Sequence, residues 1–477
     1  MKLFSKVVLL LYVVPAIGIG LALYRSWSPY SFWMDELGSV SMSVLPLTEV
    51  WQAIILDVHP PLFQLFQKLW VLSFGSWEPI VRFFSLACCL LALLYLYYQT
   101  RSLFFAARWI VITVFTSCFL FSFYAQEARS YGLTLLLSTL LTIQYAKYDA
   151  VRLDKKFLSM CAVAVALSLT HYFGLLLAVT ILTLLTVEHR RNRKLATVSL
   201  AAIVFCMAWP LAHAWLGLGV LKSSKNAWMV VDGPLDTARI FFRTFLPGLS
   251  DFYLFIYAAL IIIFVAYVGL TKASPVTNNV VSMRLGIYRL AGVCVSMLCG
   301  IAVIDSVTPI STERNFIVML PTVSLLMGLC CERIFVAKPK LLSGLLLVGS
   351  LIWGINALLF SHYLLALKWA PQHNWRASAQ FVVDNRTNEK LYYLRNRDEP
   401  EIERVFNFYI HKLSQGRLSL ERIYIEQLVD IKEPAMLVLG GVGPGVFEDI
   451  KKRMGNRPLT VYQPPQSLNA STGVVRF

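Results

Sequence analysis

The chain has 477 residues, of which 57% are hydrophobic and only 15% are charged. Soluble proteins are about 45–50% apolar and about 25% charged, so this composition excludes an ordinary set of soluble domains. It also excludes disorder, which requires low hydrophobicity and high charge density. The net charge of +16 is typical of nucleic-acid-binding or membrane proteins. With a mean hydropathy of +0.63, it favours an integral membrane protein without a nucleic-acid partner.

Apolar runs of the length that a membrane requires recur over the first three quarters of the chain. A spanning helix needs about 20 mainly apolar residues. Such runs lie at 4–24, 80–98, 109–124, 131–146, 196–215, 251–270, 286–304, 314–331 and 341–366. A longer run, 157–187, has basic clusters on both sides, which predicts that it crosses the membrane and returns. The fold class predicted is a mainly α-helical, polytopic membrane protein with about 11 spans.

Basic residues concentrate in alternate short loops, at 101–108, 147–156, 190–194, 272–284 and 333–340. The positive-inside rule places these loops and the N-terminus in the cytoplasm, and the C-terminus outside. The first run follows Lys2 and Lys6 as in a signal sequence. Its core is long and no convincing cleavage site follows, so we expect an uncleaved membrane anchor.

Two regions lie outside the predicted spans. The first outer loop, residues 25–80, contains a possible short helix, Leu47–Leu56, and an apolar stretch, 61–75, typical of an interfacial helix. From residue 371 the composition is that of a soluble module, with predicted strands at 390–395, 422–426 and 435–441 and predicted helices at 373–385, 401–413 and 447–454. We therefore expect a membrane domain, 1–370, followed by a small α/β domain, 371–477.

An adjacent acidic pair, Asp35-Glu36, lies in the first outer loop. A carboxylate near the membrane surface has the chemistry of a general base, which takes a proton from an acceptor hydroxyl. The alternative is a solvated acidic pair that caps a helix.

Two histidines accompany other polar residues near the outer face. In Asp57-Val58-His59-Pro60-Pro61, the prolines fix the start of the next helix and hold Asp57 and His59 just before it. The alternative is a helix cap beside an exposed loop histidine. His171 and Tyr172 lie at the predicted turn of run 157–187, where a buried polar pair is expected; the alternative is a core histidine with satisfied hydrogen bonds.

Two further groups lie where spans begin or end on the outer side. Glu127 and Tyr131 are four residues apart and would share a helix face. Arg129 is a planar cation suited to phosphate, and Arg314, which opens the tenth span, could meet an anionic head group. Interfacial anchoring is the alternative for such charges. All five groups lie on the predicted outer face, and an outward-facing cavity of this composition suits a lipid-phosphate substrate.

Taken in order, these motifs resemble the family 39 glycosyltransferases of GT-C type. That family includes the protein O-mannosyltransferases and the bacterial aminoarabinose and lipopolysaccharide-core sugar transferases. The resemblance covers roughly residues 1–330 and rests on Asp35-Glu36, His59-Pro60-Pro61-Leu62, Gln126-Glu127-Ala128-Arg129-x-Tyr131, His171-Tyr172-Phe173-Gly174 and Arg314 with Pro321. His373-Asn374-Trp375-Arg376-Ala377 also resembles the segment that opens the C-terminal domain in many bacterial members.

The resemblance implies transfer of a sugar from a polyprenyl phosphate to a hydroxyl on the periplasmic side, with inversion at the anomeric carbon. The family's catalytic aspartate corresponds to Asp35, beside Glu36, and Glu127 lies where the family often has a second acid. Arg129 and Arg314 would stabilise charge on the leaving lipid phosphate. The remaining candidates for donor binding are Asp57, His59, Tyr131, His171 and Tyr172. We expect a monomer in the bacterial inner membrane, with a polyprenyl-phosphate sugar as donor and a glycan, lipid or protein as acceptor.

The sequence departs from the aminoarabinose transferases at two motifs. Leu37-Gly38-Ser39 follows the acidic pair where they have x-Arg-Tyr, and Val58-His59-Pro60 stands where they have Glu-Lys-Pro. Loss of that glutamate puts their metal site in doubt, so we predict no required cofactor or metal. It also argues against lipid A as the acceptor in the aminoarabinose manner. The nine cysteines show no spacing typical of a zinc site or a disulfide framework.

Two other functions compete with this interpretation. An O-antigen polymerase or ligase is also polytopic with large outer segments, but it does not explain the order of the motifs. A lipid flippase or transporter predicts charges or Gly/Pro breaks midway in several spans, whereas the charges here lie mainly at the ends of the runs.

Overall fold

The computed structural model describes residues 2–24, 27, 30–148, 153–216, 231, 233–270, 278–337, 340–368, 374–394, 401–440, 445–455, 457–464 and 472–477. By their contacts the residues form two compact units. Unit 1 comprises Met1–Ser26, Trp51–Phe66 and Arg82–Tyr363. Unit 2 comprises Trp27–Val50, Gln67–Val81 and Leu364–Phe477. The domain limits predicted from the sequence, 1–370 and 371–477, stay predictions.

The first three quarters of the chain are helical. The helices are α1 (Lys2–Tyr24), α2 (Met34–Ser43), α3 (Leu47–Leu56), α4 (Pro61–Phe74), α5 (Glu78–Gln99), α6 (Phe105–Ser117), α7 (Phe119–Tyr124), α8 (Tyr131–Lys147), α9 (Lys155–Ser168), α10 (Tyr172–Glu188), α11 (Arg193–Leu216), α12 (Pro234–Phe245), α13 (Asp251–Leu270), α14 (Asn278–Asp305), a 3₁₀ helix (Glu313–Met319), α15 (Leu320–Ala337) and α16 (Lys340–Lys368). The apolar runs identified in the sequence are helical, apart from a break at Cys118 within 109–124 and a turn within 157–187. The mainly helical class is confirmed.

Six helices in the described part of the chain are long and apolar enough to cross a membrane. They lie at Glu78–Gln99, Arg193–Leu216, Asp251–Val268, Leu285–Asp305, Glu313–Val336 and Gly344–Leu367. Shorter apolar helices include Phe105–Ser117 and Tyr172–Glu188. The count of about 11 spans stays a prediction.

The run 157–187 contains two helices joined by a short turn. Helix α9 ends at Ser168 and α10 begins at Tyr172, and the two pack against each other. A Cβ atom at Gly174 would lie 2.7 Å from the carbonyl oxygen of Leu167. Only glycine therefore fits this close return of the chain, which brings His171 to the N-cap of α10.

A second close approach fixes the segment before α8. A Cβ atom at Gly132 would lie 2.6 Å from the carbonyl oxygen of Ser85 in α5. The Ser85 hydroxyl donates to the carbonyl of Arg129 at 3.2 Å. The backbone of Arg129 is therefore held against α5.

The C-terminal part of unit 2 contains a five-stranded sheet. Its elements are α17 (Trp375–Asn385), β1 (Lys390–Leu394), α18 (Glu401–Ser414), β2 (Glu421–Ile423), a 3₁₀ helix (Ile425–Asp430), β3 (Ala435–Gly440), α19 (Gly445–Met454), β4 (Thr460–Tyr462) and β5 (Thr472–Arg476). The strand order is β2-β1-β3-β5-β4, with β1 parallel to β2 and β3, and β5 antiparallel to β3 and β4. The alternation of strands and helices follows the sequence pattern.

Three details differ from the sequence prediction for this region. The strand predicted at 422–426 is confined to Glu421–Ile423, because the chain continues as a 3₁₀ helix from Ile425. Strands β4 and β5 were not predicted. The helix predicted from residue 373 is described from Trp375, and position 373 lies outside the described residues.

Candidate active site

The predicted site residues fall in both units. Asp35 and Glu36 belong to unit 2, and the other eight belong to unit 1.

The segment before α4 holds a buried aspartate beside a histidine. Pro60 and Pro61 fix the start of α4, where Leu62 donates its N–H to the carbonyl of Leu169 at 2.8 Å. Asp57 is only 6% exposed. Its Oδ1 lies 3.1 Å from Nδ1 of His59, and its Oδ2 accepts from Nε2 of Gln64 at 3.3 Å. The carboxylate is thus held at both oxygens, as a buried charge requires.

Arg129 completes a chain of three polar side chains. Its Nη2 lies 3.0 Å from Nε2 of His59. Because a guanidinium can only donate, Nε2 of His59 is the acceptor and its Nδ1 carries the proton. The donated bonds therefore run from Arg129 to His59 and from His59 to Asp57. The sequence predicted all three residues, and the structure brings them into direct contact.

Aromatic rings surround this chain of polar side chains. The rings of His59 and His171 lie 6.3 Å apart, those of Tyr131 and His171 5.6 Å apart, and those of Tyr124 and Tyr131 4.5 Å apart. Nδ1 of His171 accepts the N–H of Phe173 at 3.1 Å, so His171 caps α10. We call Asp57, His59, Arg129, Tyr131 and His171 the Arg129 cluster.

Arg314 adds a second positive charge near this cluster. It is the second residue of the 3₁₀ helix before α15 and is partly exposed. Its charge acts on both His171 and Tyr124. Two guanidinium groups are therefore within electrostatic range of one histidine, an arrangement suited to an anionic phosphate.

Tyr172 is hydrogen-bonded to a residue that the sequence analysis missed. Its hydroxyl lies 2.6 Å from Nδ1 of His213, whose Nε2 lies 3.1 Å from the carbonyl of Ile55. A carbonyl only accepts, so Nε2 of His213 donates and Nδ1 accepts from Tyr172. The Trp209 ring stacks on His213. The sequence signal that could have identified His213 is its place as a lone polar residue near the end of the apolar helix α11.

Glu127 does not have the position that the sequence spacing suggested. The chain between α7 and α8 makes turns, and α8 begins at Tyr131. Glu127 and Tyr131 therefore do not share a helix face, because residues 125–130 are not helical. Glu127 is 1% exposed and its charge acts on Tyr124.

The acidic pair of unit 2 divides into one buried and one partly exposed residue. Helix α2 begins at Met34, and Oε2 of Glu36 accepts the N–H of Trp33 at 3.2 Å. Glu36 is 1% exposed, whereas Asp35 is partly exposed. Glu36 thus caps the helix that carries both residues, and the more accessible carboxylate is that of Asp35. Their catalytic roles stay predictions.

No group of three or more His, Cys, Asp or Glu side chains within the described ranges could hold a metal ion. His59 is also a poor ligand here, because Arg129 occupies the lone pair of Nε2 and Nδ1 binds Asp57. The residues in place of the aminoarabinose Glu-Lys-Pro motif therefore do not fit a metal. The prediction that none is required stays a prediction.

The environment of Asp57 predicts a pH-dependent contribution to stability. Burial raises its pKa, but the charges and hydrogen bonds of His59, Arg129 and Gln64 outweigh burial and lower the pKa below its usual value. A carboxyl with a lowered pKa stabilises the fold above its unfolded pKa of about 3.9, and this stabilisation is lost as the pH falls through the folded value. We expect Asp57→Asn to cost about 1–3 kcal/mol at pH 7.

Thermal unfolding in detergent, followed by fluorescence from pH 7 to pH 3, measures this effect. The difference between wild type and Asp57→Asn should stay constant to about pH 5 and shrink below about pH 4. Asp384→Asn, at an exposed position of α17, is the matched control and should unfold like the wild type. A difference that persists in full at pH 3 would contradict the lowered pKa.

Comparison with known proteins gives no sequence match but a clear match in fold. No family model matches the sequence, and no curated protein matches it. The structure is similar to that of ArnT from Cupriavidus metallidurans bound to undecaprenyl phosphate, with a TM-score of 0.59 and 13% identity over 99% of this chain and 98% of that chain. For ArnT in the apo state, the TM-score is 0.55 and the identity 12%, over 100% of this chain and 98% of that chain. The chain therefore has the fold of ArnT over nearly its whole length, while membership of the family 39 glycosyltransferases stays a prediction.

Proposed function

We propose that this protein is a membrane glycosyltransferase that moves a sugar from a polyprenyl phosphate to a hydroxyl of an acceptor on the periplasmic side of the bacterial inner membrane. The observation that carries the proposal is the fold shared with ArnT along nearly the whole chain. One of the two ArnT structures is bound to undecaprenyl phosphate. The Arg129 cluster supports the same ligand class from this chain's own residues.

The two arginines are assigned to the phosphate of the donor. When the sugar leaves, negative charge grows on the phosphate oxygens of the polyprenyl phosphate. Arg129 and Arg314 are permanent cations, so they stabilise that charge without giving up a proton. His59, held by Asp57, fixes one end of the Arg129 guanidinium at 3.0 Å. A donor fixed before the reaction costs no reorganisation when the charge develops.

Asp35 is assigned to the acceptor. In the reaction the acceptor oxygen forms a bond to the anomeric carbon, the bond from that carbon to the phosphate oxygen breaks, and the hydroxyl proton passes to a base. Asp35 is a partly exposed carboxylate at the start of α2, whereas its neighbour Glu36 is buried as a helix cap. Asp35 is therefore the better general base of the pair.

The acceptor class is left open by the residues that differ from the aminoarabinose motifs. His59 forms a link between Asp57 and Arg129 where those enzymes have Lys. The acceptor is accordingly a cell-envelope glycan, a lipid or a protein hydroxyl rather than lipid A in the aminoarabinose manner.

Mass spectrometry of a deletion strain of the source bacterium tests the proposal. We expect the polyprenyl-phosphate sugar to accumulate and one envelope component to lose that sugar, both reversed by the wild-type gene. Accumulation of an oligosaccharide on polyprenyl diphosphate would instead identify an O-antigen polymerase or ligase. Loss of the sugar from the acceptor, with the lipid-linked sugar confined to the cytoplasmic side of the membrane, would identify a flippase. Either result contradicts the proposal.

A further inference from the structure

A buried polar network in unit 2 joins the C-terminal domain to the segment that precedes Asp35. The hydroxyl of Tyr409, in α18, accepts the N–H of Phe32 at 2.9 Å and donates to Oε1 of Glu78 at 2.8 Å. Phe32, Tyr409 and Glu78 are 0%, 2% and 1% exposed. A single hydroxyl therefore pairs with a buried backbone donor and with one oxygen of a buried carboxylate at once.

Arg376, at the start of α17, supports this network from a second element. Its Nη1 donates to Oε1 of Glu78 at 3.1 Å, and its backbone N–H donates to the Ser31 hydroxyl at 3.4 Å. The carboxylate of Glu78 thus receives two donors from the C-terminal domain. Burial and the Glu78 charge raise the pKa of Tyr409 well above its usual value, so its hydroxyl keeps its proton at any physiological pH.

Packing of aromatic rings also holds Phe32 in place. The ring of Phe32 stacks on that of Tyr409 at 6.4 Å and meets that of Phe408 edge-on at 6.1 Å. Helix α2 itself packs against α18. The next residue, Trp33, donates its N–H to Glu36. The backbone is therefore held at two consecutive residues, and Asp35 follows two residues later at the start of α2.

From this geometry we infer that Tyr409, with Glu78 and Arg376, is a positioning device through which the C-terminal domain sets the place of Asp35. The inference rests on the proposed function, because it requires Asp35 to be the base. Tyr409 does not touch the substrate; it holds the backbone that carries the carboxylate. A carboxylate displaced by about 1 Å costs about a hundredfold in rate.

Tyr409→Phe tests the inference, because it removes the hydroxyl and keeps the stacked ring. We expect kcat to fall about a hundredfold, with the KM for the lipid-linked donor changed by less than about twofold. Tyr393→Phe is the matched control: Tyr393 is 0% exposed in β1 and stacks on Phe406. It should retain the wild-type kcat. Arg376→Gln, at a partly exposed side chain, provides a milder variant and should lower kcat less in the same direction.

A double variant separates positioning from general damage. If Tyr409 acts through Asp35, Tyr409→Phe should not slow the residual transfer of Asp35→Asn further, within about threefold. The inference would be overturned if the loss of kcat in the double variant were the product of the losses in the two single variants. It would also be overturned if Tyr393→Phe lost as much kcat as Tyr409→Phe. A wild-type kcat in both Tyr409→Phe and Arg376→Gln while Asp35→Asn is inactive would likewise overturn it, and the proposed function would then stand. Full activity of Asp35→Asn would instead refute the base assignment itself.

Discussion

Asp35→Asn should lower sugar transfer by about 10²–10⁴-fold, the contribution of a positioned general base. Asparagine has nearly the same shape as aspartate but cannot accept the hydroxyl proton. The side chain is partly exposed at the start of α2, so the variant should fold and bind the lipid-linked donor like the wild type. Single-turnover transfer from a radiolabelled polyprenyl-phosphate sugar, with donor binding measured in parallel, checks the prediction.

Glu49→Gln is the control for this experiment. Glu49 is exposed in the first turn of α3 and belongs to unit 2, as Asp35 does. The same charge is removed within 14 residues of Asp35, as the sequence numbering shows, and transfer should not change. A wild-type rate in Asp35→Asn, or a comparable loss in Glu49→Gln, would contradict the assignment of Asp35.

Arg129→Gln should produce the second large effect, a loss of about 10²–10³-fold in kcat. The variant removes the cation that would stabilise the leaving phosphate, and it leaves Nε2 of His59 without the donor seen at 3.0 Å. Arg129→Lys should recover only part of the loss, because an ammonium lacks the planar fork that can bind His59 and phosphate together. Binding of undecaprenyl phosphate, titrated in nanodiscs, should weaken in both variants.

Arg101→Gln separates this effect from a general loss of positive charge. Arg101 is exposed and lies over the ring of Tyr98 at 4.3 Å. Its removal changes the net charge by the same amount and should leave kcat and lipid binding unchanged. Equal effects of Arg101→Gln and Arg129→Gln would mean that charge alone, rather than the Arg129 cluster, is responsible.

The helices could be predicted from the sequence because a membrane-spanning segment is defined by its length and apolar character. Each apolar run, and the turn before His171, therefore has its counterpart in the structure. The strands β4 and β5 could not be predicted, since β4 has only three residues and the local sequence pattern does not show that it pairs with β5. The prediction that Glu127 and Tyr131 share a helix face was wrong for a related reason, because spacing alone does not show where a helix begins.

Part of the site could also be predicted. Asp57, His59, Arg129 and His171 were singled out by their residue types and motifs, and the structure places them in one cluster. The contacts between these residues could not be predicted, because His59 and Arg129, for example, are 70 positions apart in the sequence. Only the packing of α4, α8 and the turn before α10 creates them.

Other contacts carry no local signal at all. The bond between Phe32 and Tyr409 joins residues 377 positions apart, and Tyr172 reaches His213 over 41 positions. Tyr409 and His213 lie on helices outside every motif identified in the sequence, and a satisfied buried position is the simpler interpretation of each. Their partners became visible only in three dimensions.

Sugar transfer by the purified protein in nanodiscs tests most directly whether this chain consumes a polyprenyl-phosphate sugar. The lipid-linked sugar that accumulates in the deletion strain, radiolabelled in the sugar, is supplied with envelope material from the same strain. We predict that label moves to the acceptor while one polyprenyl phosphate is released for each sugar transferred, and that Asp35→Asn slows both by about 10²–10⁴-fold. Label that stays on the lipid in the presence of folded wild-type protein, or transfer that requires a nucleotide sugar instead, would contradict the account.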